Sequence, residues 1–126
     1  MKYRSQKAVC GQGHVHDSKK EARRCGDLHL LQLAGEISGL RIQVKYEIIP
    51  QRLIPTGEVY KKGSKKGETK FRVDETAAHY IADFVYQEGD KTIIEDTKGF
   101  KTPEYILKRK LMKQIYCDDK TEFRET

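Results

Sequence analysis

The 126-residue sequence has few cysteines, no long apolar run and no apolar leader. Its three cysteines, Cys10, Cys25 and Cys117, stand at unrelated spacings, so we expect no disulfide framework and a reducing compartment. No segment approaches the roughly 18 consecutive apolar residues of a membrane-spanning helix. The first five residues lack the apolar run of a secretion signal. These absences argue against secreted, membrane and fibrous classes, and we expect a cytoplasmic protein with no membrane partner.

The composition is sufficient for a modest hydrophobic core. Hydrophobic residues make up 37% of the chain and charged residues 35%, with Val, Ile, Leu, Phe and Tyr spread along most of it. This distribution argues against disorder, and the length fits one domain, which we place at residues 1–126. The lysine-rich segment 61–70 contains Gly63, Ser64 and Gly67, which predicts a mobile basic loop inserted between two strands.

The positive charge is concentrated in three segments. The chain has a formal net charge of +6, but residues 2–24, 61–72 and 98–113 hold 19 of its 25 Lys and Arg and four of its acids. These 51 residues carry +15, and the other 75 carry −9. Such segregation suits a surface that binds a polyanion through phosphate contacts. Lysine-rich loops that keep a small domain soluble would give the same composition, so both interpretations stay open.

The hydrophobic pattern predicts a mixed α/β (α+β) fold in the order helix, three strands, helix, strand. Ser18 and Glu21 form a capping-box pattern at the start of the first helix, and Thr102 with Pro103 begins the second. Period-two alternation and flanking turns predict the strands, at residues 40–49, 79–86, 92–98 and 121–125.

Two further expectations concern less regular segments. Pro50 and Pro55 should end the first strand, and Val59 with Tyr60 should begin a return strand that resumes after the basic loop. Helical spacing places Leu107, Leu111 and Ile115 along the apolar side of the second helix.

Two predicted strands carry acids where apolar residues are expected. Asp83 lies in the apolar segment 80–86, and Asp96 interrupts a second apolar strand thirteen residues later. Lys98 is two residues beyond Asp96 and therefore on the same face of its strand. Because the two strands form a predicted hairpin around Gly89, these three side chains can converge. Paired carboxylates suit Mg²⁺, and a nearby lysine can orient an attacking water and offset charge on a phosphate.

A structural ion pair is the alternative interpretation of these residues. Lys98 would then neutralise Asp83 or Asp96 at the frayed end of a hairpin, and an acid-x-Lys tripeptide is common by chance. Burying two carboxylates without partners is costly, however, so the second acid in a hydrophobic strand favours a bound cation.

This set of residues resembles the PD-(D/E)XK nuclease superfamily. That superfamily carries an acid on one strand and acid-x-Lys on the next, similar to Asp83 and to Asp96-Thr97-Lys98. Its junction-resolving branches add a glutamate from the first helix, similar to Glu21. Two departures stand out: Ala82 replaces the name-giving proline, and Asp96 stands where glutamate is commoner.

The resemblance extends over nearly the whole chain. A family of small phage-borne proteins, described only as a domain of unknown function, is more similar still. This similarity is carried by the segments 17–22, 80–86 and 95–102. The thirteen-residue step from Asp83 to Asp96 is similar to that of small Holliday junction resolvases. The similarity runs from about residue 3 to residue 124.

The resemblance implies a restriction-endonuclease-like α-β-β-β-α-β core and a Mg²⁺-dependent DNA endonuclease, with Mn²⁺ as a substitute and no small-molecule cofactor. It implies that Asp83 and Asp96 bind the metal with the Thr97 carbonyl. Lys98 would position the water, and Glu21 would complete the site. The products would be a 5′-phosphate and a 3′-hydroxyl.

The biological setting also follows from the resemblance. Candidate substrates include branched DNA such as a Holliday junction, in phage DNA recombination or processing in the bacterial host cytoplasm, and a homodimer is the candidate assembly. The competing interpretation is a non-catalytic DNA-binding protein whose acidic cluster is structural.

Several residues keep a second interpretation. Without the resemblance, Glu21 would be the capping partner of Ser18. Glu95 should point away from Asp96 in a regular strand, but a bulge would exchange the two, so Glu95 is a reserve ligand. The lysines expected to contact nucleic acid are Lys19, Lys20, Lys61, Lys62, Lys65, Lys66, Lys70, Lys101 and Lys108. A zinc set of Cys10, His14, His16 and Cys25 is disfavoured, because its spacing matches no common zinc motif.

Overall fold

The computed structural model describes residues 7–9, 13, 15, 16, 18–98 and 100–126. Its helices and strands follow one another as β1 (Ala8–Val9), β2 (Val15–His16), α1 (Lys19–Leu33), β3 (Ser38–Ile49), β4 (Arg52–Val59), β5 (Thr69–Glu75), β6 (Ala78–Glu88), β7 (Lys91–Asp96), α2 (Pro103–Tyr116) and β8 (Thr121–Glu125). Within these ranges, neither helix is a candidate for crossing a membrane.

A mixed four-stranded sheet with the order β3-β6-β7-β8 lies at the centre of the fold. β6 and β7 form an antiparallel hairpin whose turn contains Gly89 with a φ of +63°. β7 and β8 are parallel, which requires a crossover connection, and α2 supplies it. The predicted α+β class with a mixed sheet is confirmed.

α1 begins at a capped N-terminus and covers one face of this sheet. The backbone N–H of Glu21 donates to Ser18 Oγ at 3.1 Å, as the capping pattern predicts. The helix contributes to the main hydrophobic core, which contains Ala22, Cys25, Leu28, Ile37, Phe84, Tyr86 and Ile93. Alternation along the strands therefore places Phe84 and Tyr86 on the α1 side.

α2 also begins at its predicted cap but buries a different side. Thr102 Oγ1 accepts the Tyr105 N–H at 3.1 Å. The buried residues of the helix are Tyr105 and Met112, whereas Leu107 is 61% exposed and Ile115 49% exposed. The prediction that α2 packs through the side that carries Leu107 is therefore wrong. Tyr105 and Met112 lie two turns apart on the helix, so they share one face.

By internal packing, the chain divides into two compact units, Met1–Tyr46 with Tyr80–Thr126, and Glu47–His79. The second unit contains an antiparallel ribbon of β4 and β5, joined through the predicted basic loop. β3 ends before Pro50 as expected, but Pro55 lies within β4 opposite Phe71, and Val59 ends β4 rather than beginning a return strand. A strand in a two-stranded ribbon pairs on one side, so the missing N–H of proline is tolerated on its other edge.

Candidate metal centre

Asp83 and Asp96 lie where the regular pairing of β6 and β7 ends. The register runs from Glu88 opposite Lys91 to Phe84 opposite Glu95, so one further step brings Asp83 opposite Asp96. Both residues are buried, with exposures of 7% and 0%. The charge of Asp83 contributes to the raised pKa of Asp96, so the two acids are near enough to interact electrostatically.

Asp83 is held by the residue that follows Asp96. Its Oδ2 accepts the Thr97 N–H at 2.9 Å and the Thr97 hydroxyl at 3.1 Å. Because both bonds converge on one oxygen, they fix the direction in which the Asp83 carboxylate points. Thr97 thus acts through its N–H and side chain, a role that the sequence prediction, concerned with its carbonyl, did not include.

Asp96 has one satisfied and one unsatisfied oxygen. Its Oδ2 accepts the hydroxyl of Tyr80. The Nζ of Lys98 lies 3.4 Å from Oδ1, which is ion-pair distance but not hydrogen-bond geometry. Among the residues that the structure describes, Oδ1 is therefore a buried oxygen with no hydrogen-bond partner. Such atoms are rare in folded proteins, and a bound cation would satisfy this one.

The pKa of Asp96 also indicates that its negative charge is poorly compensated. Burial disfavours its charged form and, with the neighbouring charge of Asp83, raises the pKa of Asp96 to about 7. The hydroxyl of Tyr80 and the ammonium of Lys98 act in the opposite direction. A buried carboxyl group that resists ionising, as Asp96 does, is stabilised as a carboxylate by a divalent cation.

Lys98 completes the group that the structure brings together. Its side chain is 35% exposed, and its ammonium lies 5.2 Å from the centroid of the Tyr105 ring. The Tyr105 hydroxyl donates to Glu125 Oε2 at 2.8 Å, so the ring is itself anchored. Tyr105 thereby supports the ammonium beside Asp96.

Glu21 belongs to a different polar cluster. Its buried Oε1 accepts the amide of Gln43 at 2.7 Å and lies 3.1 Å from His16 Nδ1. No three His, Cys, Asp or Glu side chains in the described part of the chain form a metal-binding group, so the structure does not group Glu21 with Asp83 and Asp96.

Gln43 holds Glu21 from a backbone conformation that favours glycine. Its φ is +52°, within the left-handed region that costs a side-chain-bearing residue about 1 kcal/mol or more. A non-glycine residue in this region is often retained because its side chain has a specific task.

We expect Gln43→Gly to be about 1 kcal/mol more stable than Gln43→Ala. Both variants lose the hydrogen bond to Glu21, but only the glycine variant also relieves the positive φ. Urea unfolding monitored by circular dichroism measures the difference. An alanine variant as stable as the glycine variant would contradict a strained backbone at this position.

Glu95 is engaged in a structural ion pair on the opposite face of β7. The regular register places it with Phe84, away from Asp96. Arg24 binds it with two hydrogen bonds, Nε to Oε2 at 2.7 Å and Nη2 to Oε1 at 2.9 Å. Tyr86 donates to Oε1 at 2.6 Å, and the Thr126 hydroxyl to Oε2 at 3.2 Å. These contacts give Glu95 a complete set of partners without a metal.

A small basic groove adjoins this ion pair. It has a volume of about 230 Å³ and is lined by Lys20, Arg23, Arg24, Asp27, Thr97 and Thr126. Lys20 and Arg23 are exposed. Because Thr97 also fixes Asp83, the groove lies next to the two-aspartate centre.

The other predicted nucleic-acid lysines are dispersed. Lys19 is exposed at the start of α1. Lys101 lies 3.5 Å from Glu125, and Lys108 lies 3.0 Å from Glu104. The lysines of the second unit are Lys61, Lys62, Lys65, Lys66 and Lys70.

Two residues of the disfavoured zinc set, Cys10 and His14, lie outside the described residues. His16 contacts Glu21 instead, and Cys25 is buried in the core with its Sγ 3.6 Å from His29 Nδ1.

Sequence reasoning missed the partners of the acids. Tyr80, Arg24 and Gln43 contact Asp96, Glu95 and Glu21 across 16, 71 and 22 residues of sequence. Neither helical nor strand periodicity encodes pairs at such separations. The one available signal was Tyr80, a tyrosine near the start of the largely apolar strand β6.

The fold and the site together define an α+β protein with two buried aspartates and a partly exposed lysine at the end of one hairpin. Residues 1–124 match the model of a family described as "Protein of unknown function (DUF1064)", so the chain belongs to this family. No curated protein and no solved structure matches the chain.

Proposed function

We propose that the protein is a Mg²⁺-dependent endodeoxyribonuclease that hydrolyses phosphodiester bonds. The observation that carries this proposal is the burial of both Asp83 and Asp96 where the β6–β7 pairing ends, with the unsatisfied Oδ1 of Asp96 3.4 Å from the ammonium of Lys98. A structural ion pair needs only one acid as the partner of Lys98, so it does not explain why a second acid is buried beside the first.

The order of elements supports the same proposal. α1, β3, β6, β7, α2 and β8 follow one another as helix, three strands, helix and strand, with the β4–β5 ribbon inserted after β3. This order is compatible with the α-β-β-β-α-β core that the resemblance to PD-(D/E)XK nucleases implies, and it supports the proposal to that extent.

The residues at the centre fit a hard cation. Asp83 and Asp96 offer carboxylate oxygens, and the resemblance adds the Thr97 carbonyl. When bound, Mg²⁺ supplies Lewis-acid polarisation of the phosphate and activation of water. Lys98 is placed to orient the water and offset charge on the scissile phosphate. Thr97 fixes the direction of the Asp83 carboxylate, and the hydroxyl of Tyr80 donates to one oxygen of Asp96.

The basic groove beside the centre supports a DNA substrate. Lys20 and Arg23 present exposed positive charge in this groove, and its lining includes Thr97, whose N–H and hydroxyl hold Asp83. Contacts of this kind attract phosphates without regard to base sequence.

The decisive experiment compares Asp83→Asn and Lys98→Ala with the parent. Each protein is incubated with plasmid, single-stranded and four-way-junction DNA, in Mg²⁺, Mn²⁺ or EDTA. We expect about a 10³-fold loss of cleavage for Asp83→Asn and about 10²- to 10⁴-fold for Lys98→Ala. Asp90→Asn, the same chemical change as in the first variant but on the exposed β6–β7 turn, should cut like the parent.

A DNA-binding protein without catalytic activity would give a different result in the same experiment. This alternative predicts binding of the same DNA with no cleavage in either metal, or equal residual cleavage by all variants. Preference for the junction over matched duplex would indicate a resolvase, and light scattering reports whether the protein is a dimer.

A further inference from the structure

The tip of the β4–β5 ribbon carries a groove that neither the core nor the metal centre uses. Its volume is about 600 Å³, and roughly 300–1,000 Å³ is typical of ligand sites. Tyr60, Lys65, Gly67, Glu68, Thr69 and Phe71 line it. Phe71 is 57% exposed and Tyr60 36% exposed. Two accessible aromatic rings beside lysines are therefore available to a ligand.

The groove is shaped in advance by its backbone. The composition predicts a mobile loop here, but the Tyr60 N–H donates to Glu68 O at 3.0 Å, and the Gly67 N–H donates to Tyr60 O at 2.8 Å. The Glu68 N–H bonds Lys65 O at 2.9 Å, and Gly67 has a φ of +89° that glycine adopts without strain. A hydrogen-bonded turn presents its rings with less ordering cost on binding than a flexible loop.

The charges around the groove suit one nucleotide. The ammonium groups of Lys65 and Lys70 lie over the Tyr60 ring, 5.7 and 5.3 Å from its centroid, whereas the Phe71 ring is 57% exposed. They are placed to contact the phosphates that flank a base stacked on an aromatic ring. Glu68, the acid in the lining, would repel a phosphate inside the groove but can accept a hydrogen bond from the amino group of a base.

We propose that this groove binds an unpaired nucleobase of a DNA strand by stacking on Phe71, with the adjacent phosphates on Lys65 and Lys70. The inference rests on the proposed DNA substrate and narrows it to single-stranded or branched DNA. Bases inside a duplex are stacked on one another and cannot enter such a groove.

Binding is measured in EDTA, so that cleavage plays no part. Fluorescence anisotropy compares a labelled single-stranded 20-mer with the matched duplex at one fixed salt concentration. We expect Phe71→Leu to lose about 5- to 100-fold in affinity for the single strand and to keep its duplex affinity. Val73→Leu, a change on the same strand outside the groove lining, is the matched control and should bind like the parent.

A second, spectroscopic experiment tests whether a base enters the groove. The chain contains no tryptophan, so Tyr60→Trp introduces a single indole into the groove. We expect the single strand to quench its emission and the duplex to leave it unchanged. Leu33→Trp, on an 85% exposed position of α1, is the reference and should respond to neither.

The outcomes separate this inference from the nuclease proposal. Equal affinity of Phe71→Leu and parent for the single strand, or equal losses on both probes, would overturn the stacking site. A change in oligomeric state of Phe71→Leu with unchanged DNA affinity would assign the surface to a second copy of the chain instead. Stacking without cleavage would refute the nuclease alone, and cleavage without stacking would refute the groove alone.

Discussion

Asp96→Asn is expected to abolish cleavage and at the same time to stabilise the metal-free protein at alkaline pH. Cleavage should fall about 10³-fold or more, because an amide is a poor ligand for Mg²⁺ and Asp83 would remain as the one carboxylate of the proposed pair. At pH 8 in EDTA, the free energy of unfolding should rise by about 1–3 kcal/mol, because a buried charge beside Asp83 is removed.

The raised pKa of Asp96 explains why the asparagine variant should be more stable than the parent at alkaline pH. The pKa of Asp96 is raised from 3.8 to about 7, mainly by burial and then by Asp83. The folded protein therefore holds a proton that the unfolded chain has released. The stability that this proton contributes is present below the unfolded pKa and is lost as the pH rises towards 7. The asparagine variant should lack this part of the pH dependence.

Urea unfolding at pH 5, 6, 7 and 8 in EDTA measures the effect, with plasmid cleavage in Mg²⁺ assayed beside it. Asp90→Asn, on the exposed turn, controls for the chemical change and should match the parent in both assays. A variant that is less stable than the parent at pH 8 would show that Asp96 is a structural ion-pair partner. Addition of Mg²⁺ should stabilise the parent and leave the Asp96→Asn variant unchanged.

Arg24→Met is expected to cost about 3–5 kcal/mol of stability, the largest loss predicted for a single change in this protein. Glu95 is wholly buried, and Arg24 neutralises it through a bidentate pair at 2.7 and 2.9 Å. Without the guanidinium, the carboxylate keeps its bonds from Tyr86 and Thr126 but not its counter-charge. The double variant Arg24→Met with Glu95→Gln should recover most of the loss, because no buried charge remains.

An exposed ion pair provides the matched control. Arg52 lies 3.1 Å from Asp74, with side-chain exposures of 70% and 38%, so Arg52→Met should change the stability by less than about 1 kcal/mol. Urea unfolding of the four proteins gives the comparison. Equal losses for Arg24→Met and Arg52→Met would refute the buried pair. Calorimetric titration of Mg²⁺ into the folded double variant should show parental affinity, which distinguishes a structural Glu95 from a reserve metal ligand.

Much of the fold could be predicted because its signals are local. Ser18 and Thr102 cap helices through bonds to residues three positions on, and Gly89 closes a hairpin between adjacent strands. The hairpin in turn brings Asp83 opposite Asp96, which alternation along the two strands made predictable. The position of Pro55 inside β4 was not predictable, since it depends on β4 having a single partner strand.

The sequence by itself determined the α+β class, the starts of both helices and the meeting of two acids with a lysine at one hairpin end. Tertiary structure decided which acid has which partner. It paired Glu95 with Arg24 and Glu21 with Gln43, and it turned Tyr105 rather than Leu107 towards the core. The physical reason is the distance along the sequence over which each kind of interaction acts. Caps, turns and alternation act over a few residues, whereas the partner of a buried charge is set by which distant element packs over it.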